Sequence, residues 1–382
     1  METSPIIIVG SGMAAYTLAR EFRKLDADTA LTIITADAGD AYSKPMLSTA
    51  LTQGKTPAQL VNMPADKMQA QLNATILTHT RVMAINITAR QVQLTNETLS
   101  YSKLVLALGA DPVQPKLDGD ATGAVHAVND LADYERFRTA LDGKQRVTLF
   151  GGGLIGCEFA NDLVNAGYSV DLVHPHRYPL ERLMPEAAGM AIKDALTQLG
   201  VRWHVGFATA VNHADDDLVV TLNDGTHIHT EVALSAIGLR PRTQLAQAAG
   251  INTQRGIQVN KQLHTSAPDV YALGDCAEVE GHVLPYVLPL MAQARALAAT
   301  LAGTVTEVAY PAMPVVIKTP ACPSAVAMPN QTDSGRWQVD CSEDGVYALY
   351  QDATGKLLGF ALTGKASAQR QTLAKQLPPI LS

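Results

Sequence analysis

Two glycine-rich turns constrain this chain more than any other feature. The first follows Ile6-Ile7-Ile8-Val9 and reads Gly10-Ser11-Gly12-Met13-Ala14-Ala15. The second follows Arg146-Val147-Thr148-Leu149-Phe150 and reads Gly151-Gly152-Gly153-Leu154-Ile155-Gly156. A short apolar run that ends on glycine marks a strand buried on both faces of a parallel sheet. Behind the first turn, residues 13–25 place Ala14, Leu18, Phe22 and Leu25 on one side of a helix, and residues 31–34 form a second apolar run. Behind the second turn, residues 154–165 predict a helix and residues 170–173 a strand, with Gly167 in the bend between them. Each stretch therefore spells strand, turn, helix, strand. A third motif, Val270-Tyr271-Ala272-Leu273-Gly274-Asp275, closes the set.

Composition narrows the class. With 382 residues, 47% hydrophobic and 17% charged, the chain can build two or three packed domains. A net charge of −7 argues against a nucleic-acid partner. The four cysteines, Cys157, Cys276, Cys322 and Cys341, form no CxxC or CxxxxC pair. No disulfide framework, zinc site or local dithiol is expected, and no metal. The chain runs straight into its first apolar run, without a basic segment and cleavage site, and no stretch nears the ~20 apolar residues of a membrane span. A cytoplasmic protein with no membrane contact is expected.

The turns carry specific chemistry. Gly10 permits the tight bend, Gly12 lets backbone approach a pyrophosphate, and Ala14 and Ala15 open the helix whose N–H groups face the phosphate. Asp37, just past the second strand, is placed for ribose hydroxyls. In the second turn Gly151, Gly153, Leu154, Ile155 and Gly156 repeat the arrangement. There the following strand meets His174, Pro175, His176 and Arg177. An acid would select a 2′-hydroxyl and an arginine a 2′-phosphate. His174 does neither cleanly, and Arg177 reads equally as a phosphate ligand or an exposed loop residue, so NADH and NADPH both remain open. Glu158 reads either as an acid in the first helical turn or as a holder of a nicotinamide carboxamide. His227 and His229 alternate on one strand, as on an exposed face.

These motifs, in this order, resemble the two-dinucleotide-binding-domain flavoprotein reductases, the family of glutathione reductase and the NADH-dependent ferredoxin reductases. Residues 104–112 resemble that family's apolar strand ending in Gly-x-x-Pro, and residues 265–275 its FAD-closing motif. The resemblance implies two Rossmann-like domains and a small α+β C-terminal domain. The expected limits are 1–112 with 242–308 for FAD, 113–241 for NAD(P)H, and 309–382 for the last domain. It also implies that the first turn binds FAD and the second NADH. Asp275 would contact ribitol, and Lys44, Pro45, Val82, Ala107, Gly109, Gly238, Gly274, Val287 and Lys318 would line the cofactor sites.

The branch is decided elsewhere. Disulfide reductases carry Cys-x4-Cys near Ala41-Tyr42-Ser43-Lys44-Pro45-Met46-Leu47-Ser48, where this chain has no cysteine. A dithiol relay is excluded, and so is a single peroxidatic cysteine there. Residues 42–49, 238–243 and 313–323 are similar to the rubredoxin-reductase branch, including Lys318-Thr319-Pro320-Ala321. Arg242 and Asn129 depart from the wider family and fit that branch. The implied activity is electron transfer from NADH through FAD to rubredoxin, one electron at a time. A ferredoxin or flavorubredoxin reductase, or a redox-sensing FAD/NAD(H) protein, is the alternative. Lys44 and Lys318 are then the candidate catalytic residues beside the flavin, each with the alternative of a plain solvated lysine. Of Val287, Leu288, Leu290 and Met291, most are expected in the core and the remainder on a docking surface. Monomer and homodimer stay open.

Overall fold

In the computed structural model, residues 4–330 and 333–382 are described. The first sheet is parallel and five-stranded, ordered Val270–Ala272, Lys103–Leu106, Ile6–Val9, Leu31–Ile34, Thr75–Leu77. Ile6–Val9 and Leu31–Ile34 are buried at every position, as continuous apolar runs require. The helix Met13–Arg23 packs Ala14, Ala15, Leu18, Ala19 and Phe22 inward. Leu25 lies beyond that helix and is 59% exposed, so it does not belong to the expected apolar face. Chain reversal after Arg23 carries it away from the sheet.

The second sheet repeats the plan: Val125–Ala127, Val232–Ser235, Arg146–Phe150, Ser169–His174, Arg202–Val205, again all parallel. Each sheet is interrupted at the same point of its path by a three-stranded antiparallel meander. In the first unit this is Ala84–Asn86, Gln91–Gln93 and Thr98–Ser100, and in the second Ala208–Ala214, Asp217–Leu222 and His227–Thr230. On the last of these, His227 and His229 face outward while Ile228 and Thr230 are buried. The two connections between units, Ala110–Pro112 and Leu239–Pro241, pair antiparallel.

The last unit is a five-stranded antiparallel sheet, ordered Val315–Ile317, Ser324–Ala327, Leu357–Thr363, Gly345–Gln351, Arg336–Ser342. Leu357–Thr363 is buried at all seven positions because both faces are covered. Ala361 joins the core that includes Ile192 and Leu196 of helix Glu186–Leu199, whereas Phe360 and Leu362 pack with Leu373 of the short C-terminal helix Arg370–Ala374. The C-terminal sheet thus leans on the second unit and borrows part of its core.

Candidate functional site

At the carboxyl edge of the first sheet the order of strands reverses about Ile6–Val9, and ligands of doubly wound sheets bind at such a crevice. Gly10 adopts φ +113°, and a Cβ there would stand 2.3 Å from the Ala107 carbonyl oxygen. The turn and the Lys103–Leu106 strand end are therefore in direct backbone contact, which brings Gly109 alongside. Gly274 meets the same place, with room for no Cβ against that of Ala14 at 2.8 Å. Buried Gln293 ties this turn down: its carbonyl accepts the Gly274 N–H at 2.6 Å, and its amide donates to Tyr310 at 2.8 Å. Gln293 belongs to helix Val287–Leu301, whose N-terminus has no side-chain cap. Gly10, Gly12, Ala14, Ala15, Ala107, Gly109, Gly274 and Asp275 therefore form one cradle.

The cradle fits a dinucleotide. Space around Gly12 is open within 4 Å of a built Cβ, and helix Met13–Arg23 begins without a side-chain cap. Its first N–H groups are free for phosphate oxygens. Asp37 is exposed beyond Leu31–Ile34, and its Oδ1 accepts from Ser11 Oγ at 3.0 Å, Thr35 Oγ1 at 2.6 Å and the Gly39 N–H at 2.9 Å. This net fixes the carboxylate and turns it toward solvent. Val82 is 9% exposed and packs within the same core.

The second turn is built alike. Gly153 has open space around it, helix Leu154–Asn165 starts uncapped, and Ile155 stands 42% exposed at the mouth. Gly238, at φ +125°, lies in the returning connection, whose carbonyl accepts the Val113 N–H at 2.9 Å. Arg177 stays at the surface, 3.6 Å from Glu186.

Between the cradles lies a junction of three chain segments. Helix Leu154–Asn165 sends three buried polar residues into it. Glu158 is its fifth residue, not a first-turn acid, because the helix begins before Gly156 and takes that glycine into its first turn. The carboxylate is 3% exposed and accepts Ser48 Oγ at 2.6 Å, the Lys318 N–H at 3.0 Å and Lys318 Nζ at 2.8 Å. Asn161 accepts the Ala321 N–H at 3.0 Å, and Asp162 accepts the N–H groups of Leu51 and Thr52 at 3.0 and 2.9 Å. One helix of the second unit thereby pins the 44–52 segment of the first and the 318–321 segment of the third.

Both candidate lysines stand here. Lys318 Nζ also donates to Ser48 Oγ at 3.0 Å and to the Pro45 carbonyl, so it is no plain surface lysine. Lys44 donates to Asn129 Oδ1 at 2.7 Å and lies 3.8 Å from Asp275. Asn129 in turn donates to the Ala110 carbonyl at 2.8 Å. Loss of water around Lys44 lowers its pKa, Asp275 pulls it back up, and nearby Arg242 lowers it further. Arg242 itself is held by Asp111 at 2.5 Å and the Leu108 carbonyl at 3.1 Å. Lys44, Lys318 and Arg242 are thus each balanced by a carboxylate, Asp275, Glu158 and Asp111 in turn. Cys276, next to Asp275, is buried and its thiol is pushed up to about 11 by that burial, so it is no thiolate. At the mouth of helix Val287–Leu301 the apolar side chains divide evenly: Val287 and Leu288 are 37% and 51% exposed, while Leu290 is buried and Met291 packs against the core.

Sequence patterns marked Ser48 only as part of the 42–49 motif and gave no signal for Gln293, Asn161 or Asp162, whose partners stand elsewhere along the chain.

Comparison with known proteins agrees with this geometry. The Pyridine nucleotide-disulphide oxidoreductase family matches residues 4–298, and a Rubredoxin binding C-terminal domain matches residues 307–377. A rubredoxin-NAD(+) reductase of Alcanivorax borkumensis is 53% identical, covering 99% of each chain. One from Acinetobacter baylyi is 46% identical, covering 99% of this chain and 98% of the relative. A ferredoxin reductase from Rhodopseudomonas palustris superposes with a TM-score of 0.88 at 25% identity, covering 99% of this chain and 96% of that one. The two uncapped cradles and these matches have one conclusion: the chain belongs to the pyridine nucleotide-disulphide oxidoreductase family.

Proposed function

We propose that this protein is a FAD-dependent reductase that carries electrons from NADH to rubredoxin. The observation that supports it most directly is the Glu158–Lys318 pair. Through it a C-terminal sheet matched to rubredoxin-binding domains delivers a lysine to the junction between the two cradles. The bound flavin supplies the exchange between two-electron acceptance and one-electron release. The residues of the first cradle hold FAD, with Asp37 toward its ribose and Asp275 toward its ribitol. Those of the second turn, Gly151 to Gly156, hold the nicotinamide dinucleotide. Lys44 and Lys318 supply positive charge beside the ring, and Glu158 and Asp275 keep the two ammonium groups in place. Exposed Val287 and Leu288, at the start of the helix that carries Gln293, offer an apolar patch to a small protein.

No thiol takes part. All four cysteines are free and three are buried, which also suits the reducing cytoplasm where we place the protein. Among the described residues no helix is long and apolar enough to cross a membrane.

Stopped-flow spectroscopy tests the assignment. NADH should bleach the flavin rapidly, and rubredoxin should then restore its colour at a rate that supports turnover. Slow bleaching with a long-lived charge-transfer band would point to a sensor. Fast reoxidation by ferredoxin with rubredoxin inert would move the acceptor.

A further inference from the structure

The ribose end of the second turn departs from the usual rule that its strand closes on a carboxylate. Strand Ser169–His174 ends on a histidine whose ring is fully engaged. Its Nδ1 accepts the Gly152 N–H at 3.0 Å, and its Nε2 lies 3.0 Å from Glu181 Oε2. With Nδ1 accepting, the ring proton sits on Nε2 and is donated to Glu181. The ring packs edge-on against Trp203 at 5.7 Å between centroids. Together they fill the space over Gly152, where a Cβ would meet both at 2.9 Å. His174 therefore has no nitrogen left for a ribose hydroxyl.

Glu181 is the carboxylate that this ring presents. Its side chain is 19% exposed, enough to be reached, while Oε1 lies 3.3 Å from His176 and 3.8 Å from Arg182. The arginines of this loop are far more open to solvent: side-chain exposure is 75% for Arg177, which pairs with Glu186, and 90% for Arg182. Water and salt screen those charges, but screen a largely buried carboxylate much less. At short range such a carboxylate accepts from a hydroxyl and opposes a phosphate.

We infer that Glu181, seven residues beyond the usual position and oriented by His174, selects NADH over NADPH by accepting the ribose 2′-hydroxyl and repelling a 2′-phosphate. His174 is a positioning residue in this scheme. The inference rests on the reading that the nicotinamide dinucleotide docks at the second turn.

Calorimetric titration of the FAD-loaded protein with NAD+ and with NADP+ tests it without turnover. The native protein should bind NAD+ at least about tenfold more tightly than NADP+, a difference of about 1.4 kcal/mol. Glu181→Gln should weaken NAD+ about tenfold and strengthen NADP+, bringing the two near parity, with an unchanged flavin spectrum. His174→Ala should weaken NAD+ but leave NADP+ rejected, because the carboxylate charge remains. A Glu181→Gln protein that keeps the native ratio, or a native protein that prefers NADP+, overturns the inference. If the native protein binds neither dinucleotide, the docking reading itself fails and takes the inference with it.

Discussion

At the scale of single residues, Glu158 has the most to lose. It is buried and holds a hydroxyl, an amide and an ammonium at once. Glu158→Gln keeps the shape but leaves Lys318 without its countercharge, and removing one partner of a buried pair is the costly case. The rate of flavin reduction by NADH should fall on the order of tenfold, about 1.4 kcal/mol of barrier, in stopped-flow traces. The FAD content of the purified protein should stay unchanged. His174 makes a different prediction. Burial lowers its pKa below the ordinary 6.5, with Glu181 opposing, and burial lowers that of His126 as well. Below pH 6.5 the unfolded chain takes up these protons before the folded one does, so stability drops as pH falls and levels off beneath the folded values. Thermal midpoints measured by circular dichroism from pH 8 to pH 5 should decline, and His174→Asn should flatten the decline. The lack of a thiol around Lys44 was legible in the sequence, but its contacts with Asn129 and Asp275 were not. The contacts of Glu158 were not legible either, because its partners stand 110 and 160 positions away.

Among elements, the two glycine-rich turns are alike in sequence but not in tolerance. At the third small position the first turn has Ala15, fully buried with its methyl accommodated. The second has Gly156, where a Cβ would stand 1.8 Å from the Gly151 carbonyl oxygen. Helix and strand approach more closely in the second unit, so Gly156→Ala must push helix Leu154–Asn165 outward and drag Glu158, Asn161 and Asp162 with it. The expected result is normal flavin binding, a lower thermal midpoint and at least about tenfold weaker NAD+ binding, given overpacking costs of about 1–3 kcal/mol. Calorimetry and the flavin-to-protein absorbance ratio check both halves. The βαβ elements were readable because apolar runs and glycines act locally. Strand Leu357–Thr363 was readable too, but not the cover on both its faces, which depends on a helix from the second unit. The burial of one half of Val287, Leu288, Leu290 and Met291 and the exposure of the other follow from where the helix N-terminus emerges, and composition carries no trace of that.

For the molecule as a whole, a net charge of −7 over 382 residues gives little long-range steering, so docking must rely on local lysines and the apolar patch at Val287 and Leu288. Rubredoxin-dependent turnover should therefore fall by no more than about threefold as ionic strength rises through the physiological range, where the Debye length is ~8 Å. A steep fall in steady-state assays would contradict this picture. The order of strands in the two sheets also has a temporal consequence. Every strand of the second sheet lies between Val125 and Ser235, whereas the first sheet waits for Val270–Ala272 to complete its edge. On a ribosome that extends chains from the N-terminus, the inner, later-starting unit closes before the outer one. The Gly274-Asp275 clasp is made last of the cradle. Under the proposed assignment, the FAD cradle is therefore completed only after every strand of the second unit has been synthesised.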